Sequence, residues 1–234
     1  MRYMGGKSRL AKRLAEYLES RREPGQLYWE PFVGGASVIA RMGDHGPRVG
    51  GDANEALIAL YRAMQNGWEP PESLGEEEYQ RLKEAKDPAN PLTAFAGFGC
   101  SFGGAWFHAY ARGGSQNYAL STKRSLAKKM DSCADVKWVA AEYDAAPAPS
   151  GALIYCDPPY RGGEAYRAVG AFDSDRFWTW AAEASMSNTV LVSEYGAPAG
   201  WSVALEIPHK CAINNQGTSR PTKTAERLFE YAPA

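Results

Sequence analysis

The stretch that most constrains this chain is LIYCDPPY, residues 153–160. The apolar residues from Ala152 to Cys156 predict a buried strand. The two prolines after Asp157 stop that strand, because proline lacks a backbone donor and has a fixed φ. The strand therefore delivers an acid, two proline carbonyls and an aromatic ring to a stiff loop at its C-terminal end, which is the edge where open α/β sheets bind ligands.

Such a loop suits a flat ring that carries an amine. Asp157 and the Pro158 carbonyl can accept the two amine hydrogens, and Tyr160 can stack on the face of the ring. The same four residues also fit an ordinary Pro-Pro turn that closes a core strand. Other parts of the sequence must therefore decide whether this loop is a ligand-binding site or a structural turn.

Bulk composition narrows the protein class. The chain has 234 residues, of which 44% are hydrophobic and 23% charged, with a net charge of −1. This length allows a large core, and the balanced charge gives no global sign of nucleic acid.

The apolar core of a signal peptide and a run of about 18 apolar residues are both missing, so we expect a cytoplasmic protein without a membrane segment. The spacing of Cys100, Cys133, Cys156 and Cys211 favours buried, reduced thiols over metal ligands or disulfides, and nothing in the sequence requires a metal.

The first third of the chain contains two predicted strand–turn–helix units. Residues 27–30 form a strand, PFVGGAS follows, and a helix is expected over 37–42. This arrangement brings a nucleotide-like ligand against backbone and a helix N-terminus, although the G-x-G-x-x-G pattern of a dinucleotide site is absent. A second strand over 48–51 ends in Asp52, placed where an acid grips a ribose diol. Asp52 is also a good N-cap for the helix predicted over 55–65.

A basic and aromatic stretch occupies the middle of the chain. Between residues 88 and 130 there is no Asp or Glu, and basic, aromatic and glycine residues are interleaved. Such a composition suits a phosphate backbone and unstacked bases, although a satellite hydrophobic cluster is the alternative. We interpret residues 67–149 as an insertion between 1–66 and 150–234. The basic residues are Arg112, Lys123, Arg124, Lys128 and Lys129.

The C-terminal third predicts the remaining elements. A glycine-containing loop over 161–171 is long enough to form a lid or a wall of the site. A helix over 175–187 and a buried strand over 189–193 follow it. Residues 201–207 and 227–231 predict a closing hairpin, joined by a polar link over 214–224.

Four motifs together resemble the Dam-like DNA adenine methyltransferases. They are YMGGK at 3–7, EPFVGGAS at 30–37, GDAN at 51–54 and DPPY at 157–160. Their order, with cofactor motifs first, target recognition next and the catalytic motif last, is the alpha arrangement of that family. The segment CSFGGAWFHAYARGGSQNY, beginning at Cys100, resembles the region where the family begins to contact DNA.

The resemblance implies a fold and a function. The fold is an α/β Rossmann-like methyltransferase sheet with helices on both faces, carrying an inserted target-recognition subdomain over 67–149. The implied reaction moves the methyl group of S-adenosylmethionine to the amine of a flipped-out adenine in double-stranded DNA. A restriction-modification or phage setting is typical of such enzymes, and the small size permits a monomer.

The resemblance also assigns residues to roles. Asp157, Pro158 and Tyr160 would form the catalytic loop. Arg112, Lys123, Arg124 and Lys128 would contact DNA. The cofactor would be bound by Tyr3, Lys7, Phe32, Gly34, Asp52 and Asp157.

The glycine turn departs from the family pattern. The family commonly has Phe-x-Gly-x-Gly, and Ala36 stands here at the second glycine position. If that position needs a positive φ, alanine would cost about 1 kcal/mol. We expect the neighbouring Gly35 to take the strained conformation instead.

Other functions fit parts of the pattern. An Asp-Pro-Pro-Tyr loop also suits methylation of RNA or of a protein amide. A DNA-binding module that has lost catalysis is a further alternative, but Lys7, Asp52, Asp157 and Tyr160 are all present. A nicotinamide oxidoreductase fits least, because its glycine fingerprint is missing.

Overall fold

The structure is a computed structural model that describes residues 1–160, 172–210 and 223–232. The predicted lid over 161–171, Cys211 and most of the link over 214–224 lie outside the described residues. None of the helices in the described ranges is long and apolar enough to cross a membrane.

A seven-stranded sheet forms the centre of the protein, in the order β3-β2-β1-β4-β5-β7-β6. Strands β1 to β5 run parallel, whereas β7 runs antiparallel between β5 and β6. The strands are β1 (Tyr28–Glu30), β2 (Arg48–Asp52), β3 (Lys137–Ala140), β4 (Leu153–Cys156), β5 (Thr189–Glu194), β6 (Trp201–Lys210) and β7 (Lys223–Tyr231).

The topology creates one place where a ligand crevice is expected. Strand β1 pairs with β2 on one side and with β4 on the other, so the chain order reverses direction beside β1. In open α/β sheets the ligand lies beyond the carboxyl ends of the strands at such a switch point. The glycine turn follows β1 and the Asp-Pro-Pro-Tyr loop follows β4, and both therefore emerge at this place.

Helices cover both faces of the sheet, as predicted. Leu153 and Tyr155 of β4 face a core that includes the apolar sides of the helices preceding β3. Ile154 and Cys156 face the opposite core, which is covered by the helix after β4. The α-helices are α1 (Ala11–Arg21), α2 (Glu55–Gln65), α3 (Glu76–Ala85), α4 (Pro91–Ala94), α5 (Tyr118–Asp131) and α6 (Ser174–Ala184). The predicted Rossmann-like architecture is confirmed.

The helix expected over 37–42 is shorter than predicted. Only Ile39–Arg41 is helical, and it forms a single 3₁₀ turn. The left-handed backbone at Ala36 precedes this turn and Met42 is already extended, so too few residues remain for an α-helix.

The segment between α2 and β3 packs as a helical unit beside the sheet. A π-helical turn, Phe95–Gly99, lies against α5, where the Thr122 hydroxyl donates to the Gly99 carbonyl at 3.0 Å. Strand β3 falls inside the predicted 67–149 insertion, yet it pairs with β2 as an edge strand of the central sheet. The part of the segment that stands apart from the sheet therefore ends before Lys137, and the three-part division of the chain stays a prediction.

Candidate active site

A cleft opens at the carboxyl ends of β1 and β4. Three segments that are distant in sequence form it: the N-terminal residues, the turn after β1 and the loop after β4. The cleft is lined by Tyr3, Met4, Gly5, Gly6, Lys7, Glu30, Phe32, Val33, Gly34, Gly35, Ser37, Val38, Tyr155, Asp157, Pro158, Pro159 and Tyr160.

The glycine turn allows an aromatic side chain to lie directly on its backbone. A Cβ atom at Gly34 would lie 3.0 Å from a ring carbon of Tyr3, and one at Gly35 would lie 3.0 Å from the Tyr3 Cβ. The Tyr3 ring also packs on Phe98, with 4.6 Å between the ring centroids. Both glycines thus permit a close approach that any larger residue would obstruct.

Ala36 adopts the left-handed conformation itself, with φ of 50°, and Gly34 has φ of 44°. The expectation that Gly35 would take the strain is therefore wrong. Ala36 is fully buried in the main core, and its methyl group fills space there. Tertiary packing thus offsets the cost of a left-handed alanine.

Asp52 holds the turn in place from the tip of β2. Its carboxylate accepts the Gly34 N–H and the Asn54 N–H, each at 2.9 Å. Only 8% of the residue is exposed, and burial raises the pKa of Asp52 to about 6 against these two hydrogen bonds. Asn54, and not Asp52, caps the N-terminus of α2, because the Asn54 side chain accepts the Leu57 N–H. The ribose role of Asp52, which does not line the cleft, stays a prediction.

A compact charge cluster joins the N-terminal segment to the catalytic loop. The Lys7 ammonium lies 2.9 Å from Asp157 Oδ1 and 3.3 Å from Glu226 Oε1. It also donates to the Tyr160 hydroxyl and lies 4.4 Å from the centroid of that ring. The Tyr160 hydroxyl in turn donates to Glu226 Oε1 at 3.0 Å. The three Lys7 hydrogens are therefore all engaged with the catalytic loop and β7.

The cluster shifts the ionisation of its members. Burial raises the pKa of Asp157 to about 6, although Lys7 opposes the shift. Burial acts to lower the pKa of Lys7, but Asp157 and Glu226 outweigh it and raise that pKa. Burial and the two carboxylates raise the pKa of Tyr160, so its hydroxyl remains a donor. At neutral pH the loop presents an ionised Asp157 beside a charged Lys7.

Phe32 lies between the cleft and the core that α6 covers. Its ring centroid is 5.3 Å from that of Tyr143 and 5.5 Å from that of Phe177. These contacts fix the ring at one wall of the cleft. A role in cofactor binding stays a prediction.

The predicted DNA-binding residues divide into two pairs. Arg112 forms an ion pair with Glu76, and Lys123 lies 3.2 Å from Glu69 and 3.3 Å from Glu72. Arg124 and Lys128 are exposed on α5, and neither has an ion pair within the described part of the chain. Contact of these four residues with DNA stays a prediction.

Two ionisable residues near the turn, the buried Glu30 and the half-buried Lys129, make contacts that the sequence analysis did not assign. Burial raises the pKa of Glu30 to about 8, and Tyr28 donates its hydroxyl to this carboxyl group at 2.6 Å. The Lys129 ammonium donates to the Gly35 carbonyl and, at 3.0 Å, to the Ser37 hydroxyl. Lys129 follows buried Leu126 by three positions on α5, a spacing that predicts an inward side chain.

Glu226 was missed as well, although a signal for it existed. Glu226 lies two positions before buried Leu228 on β7, and its side chain therefore faces the same side of the sheet. An acid at such a position needs a partner, and Lys7 with Tyr160 supplies one.

In the described part of the chain, neither a group of metal-binding side chains nor a cysteine lines the cleft. Among the residues that the structure covers, no three His, Cys, Asp or Glu side chains are grouped so as to hold a metal ion. Cys100, Cys133 and Cys156 are buried free thiols.

Similarity to known proteins identifies the chemistry. Residues 3–90 match the family described as D12 class N6 adenine-specific DNA methyltransferase. This match confirms the Dam-like DNA adenine methyltransferase resemblance. The predicted enzyme class, an adenine-specific DNA methyltransferase, and the predicted methyl donor, S-adenosylmethionine, are confirmed with it.

Solved structures of methyltransferases are similar to this chain only at low sequence identity and low TM-score. A tRNA methyltransferase from Aquifex aeolicus is 12% identical, with a TM-score of 0.41 over 94% of this chain and 67% of that one. A precorrin-6y methyltransferase from Geobacter metallireducens is 9% identical, with a TM-score of 0.40 over 94% of this chain and 86% of that one. Similarities this low carry no argument about substrate. No curated protein matches the chain significantly.

Proposed function

We propose that this methyltransferase modifies the exocyclic amine of an adenine that has been flipped out of double-stranded DNA, at a specific site. The observation that carries the proposal is the shared cleft. The turn after β1 and the Asp-Pro-Pro-Tyr loop after β4 line the same space, so a donor held by the first lies beside an amine held by the second.

The residues present fit S-adenosylmethionine. Gly34 and Gly35 let Tyr3 pack closely on the turn, and Tyr3 and Phe32 supply aromatic walls of the cleft. Asp52 positions the turn through the Gly34 N–H and would reach the ribose from the tip of β2. When bound, the cofactor supplies an electrophilic methyl group on a sulfonium.

The catalytic loop prepares the amine. The lone pair of the adenine amine is delocalised into the ring, which makes it a poor nucleophile. Asp157 and the Pro158 carbonyl accept its two hydrogens and favour a pyramidal nitrogen, so the lone pair points away from the ring. The gain comes from positioning and electrostatics, and no covalent enzyme intermediate is needed.

Tyr160 offers one face of its ring to the base. Lys7 and Glu226 hold the hydroxyl at the rim of this ring, and the Tyr195 ring packs against Tyr160 with 4.8 Å between the centroids and 69° between the ring planes. Stacking of the base on Tyr160 offsets part of the few kcal/mol that extruding a base costs.

Two features beside the cleft support a nucleic acid as the substrate. Arg124 and Lys128 present exposed charges on α5. Phe102, 66% exposed, lies in a loop that contacts the N-terminal segment, where the Met4 N–H donates to the Gly104 carbonyl at 3.1 Å. An exposed aromatic next to the cleft mouth suits contact with unstacked bases.

The deciding experiment is transfer of labelled methyl from S-adenosylmethionine to duplex DNA of mixed sequence, with duplex RNA and denatured protein as parallel acceptors. We expect label in methyladenine of the DNA, at positions that share one sequence. Label in RNA or protein alone would replace the proposed substrate, and cofactor binding without any transfer would favour a decayed module. A cytoplasmic location, a monomeric state and a restriction-modification or phage setting stay predictions.

A further inference from the structure

Glu226 is a buried carboxylate beside the catalytic loop. It lies on β7 with 6% of its surface exposed, and it is brought to the cluster only by the antiparallel pairing of β7 with β5. Its side chain shares the Lys7 ammonium with Asp157 and accepts the Tyr160 hydroxyl. The two carboxylates thus share a single cation.

We propose that Glu226 is a positioning residue of the catalytic loop, holding Lys7 and the Tyr160 hydroxyl so that Asp157 keeps acceptor capacity for the substrate amine. This inference rests on the proposed function and concerns the same cleft. It assigns Glu226 no contact with the substrate.

The number of hydrogen-bond donors on Lys7 and Tyr160 supports this role. Lys7 has three hydrogens and Tyr160 has one, and Glu226 accepts from both residues. If Glu226 carried no charge, Asp157 would be the ionised carboxylate left near Lys7 and Tyr160 among the described residues, and it would have to accept from both. A carboxylate that already accepts two strong hydrogen bonds binds an amine hydrogen less well. Glu226 therefore leaves Asp157 able to accept a hydrogen from the substrate amine, while the contact between Lys7 and Asp157 is kept.

The same geometry predicts a pH effect. Burial raises the pKa of Asp157, Lys7 lowers it, and the nearby Glu226 charge raises it further. Neutralising Glu226 should therefore lower the pKa of Asp157 and move the acidic limb of the rate profile to lower pH. Among the described residues, the charged or titratable groups around Asp157 are Lys7 in the N-terminal segment, Glu30 at the end of β1, Tyr155 and Cys156 on β4, Tyr160 in its own loop and Glu226 on β7.

The test compares Glu226→Gln with Glu230→Gln, a matched change on the same strand. Glu230 is partly exposed and pairs with Arg21, away from the cleft. For Glu226→Gln we expect kcat to fall on the order of tenfold, while KM for DNA and for S-adenosylmethionine changes little. The acidic limb of its kcat profile should move to lower pH. The Glu230→Gln profile should match the wild type.

A second measurement does not depend on activity. Carbon-13 NMR of labelled aspartate carboxyls gives the pKa of Asp157 directly in the wild type and in Glu226→Gln, with Asp157→Asn identifying the signal. A lower Asp157 pKa in the variant supports the inference. An unchanged pKa, or lost activity with an unmoved acidic limb, would overturn it. Absence of transfer by the wild type would overturn the proposed function, whereas the NMR result would still decide the role of Glu226.

Discussion

The Lys7 ammonium lies 2.9 Å from Asp157 Oδ1. This contact links the fifth residue of the first motif to the first residue of the last, across most of the chain. Both side chains are largely shielded from solvent, so the pair is weakly screened. The N-terminal segment and the catalytic loop thus form one site before any ligand arrives.

Replacing Asp157 should separate catalysis from binding. Asp157→Ala removes the acceptor that favours a pyramidal amine, and we expect kcat to fall by about 10²-fold or more. The dissociation constant for DNA, measured by titration calorimetry, should stay within about threefold of the wild type. Asp135→Ala, which removes a surface acid paired with Arg48, is the control for a lost aspartate. Turnover at a tenth of the wild-type rate would refute the assigned role.

The two pairs of basic residues should differ in salt dependence. Arg124→Ala with Lys128→Ala removes two free charges from α5, and we expect the slope of log K against log salt to fall by about 2. Arg112→Ala with Lys123→Ala should change the slope much less, because these side chains already pair with Glu76, Glu69 and Glu72. Binding isotherms at several salt concentrations measure both. Equal slopes for the two double variants would contradict the distinction.

Ala36 should tolerate glycine but not valine. Glycine relieves a left-handed backbone worth roughly 1–2 kcal/mol but loses a buried methyl group worth about 0.8 kcal/mol. The free energy of unfolding in urea should therefore change by less than about 1 kcal/mol. Valine adds a β-branched side chain at positive φ in a filled core, and we expect a loss of more than about 2 kcal/mol. A valine variant as stable as the wild type would show that the turn adopts another conformation.

Glu30 should make the protein less stable as pH rises from 6 to 8. Burial raises its pKa from 4.5 to about 8, so in this window the folded state binds a proton that the unfolded state has lost. Stability therefore falls with rising pH. Glu30→Gln mimics the protonated acid, and its stability should exceed the wild-type value by about 1–2 kcal/mol more at pH 8 than at pH 6. Urea unfolding at both values measures this. A parallel fall in both proteins would assign the pH dependence to other groups.

Local sequence determined the elements that build the sheet. The apolar run before Asp157 and the two prolines specified where β4 ends, since no side-chain partner can restore the missing donors. The apolar spacing of residues 55–65 specified α2, whose bounds agree with the prediction, although its cap is Asn54 and not the predicted Asp52. The four motifs and their order specified the family, because each motif carries backbone or acid–base constraints that few other folds share.

The fold of the turn and the pairing of charges depended on contacts between distant residues. Whether Ala36 or Gly35 takes the positive φ depends on which side chain the core can bury. Whether a lysine on α5 faces solvent, an acid or the turn depends on what packs beside it, so Lys123, Lys128 and Lys129 have three different environments.

The sequence by itself thus determined the resemblance to the family, the end of β4 and the position of the Asp-Pro-Pro-Tyr loop, all of which rest on local backbone chemistry. Only the tertiary structure decided that Glu226 joins Lys7, Asp157 and Tyr160. Those residues come from opposite ends of the chain and meet because β7 inserts beside β5. The spacing of Glu226 and Leu228 indicates that this acid faces the core, but strand order decides which residues it meets there, and the ionisation of the site depends on that order.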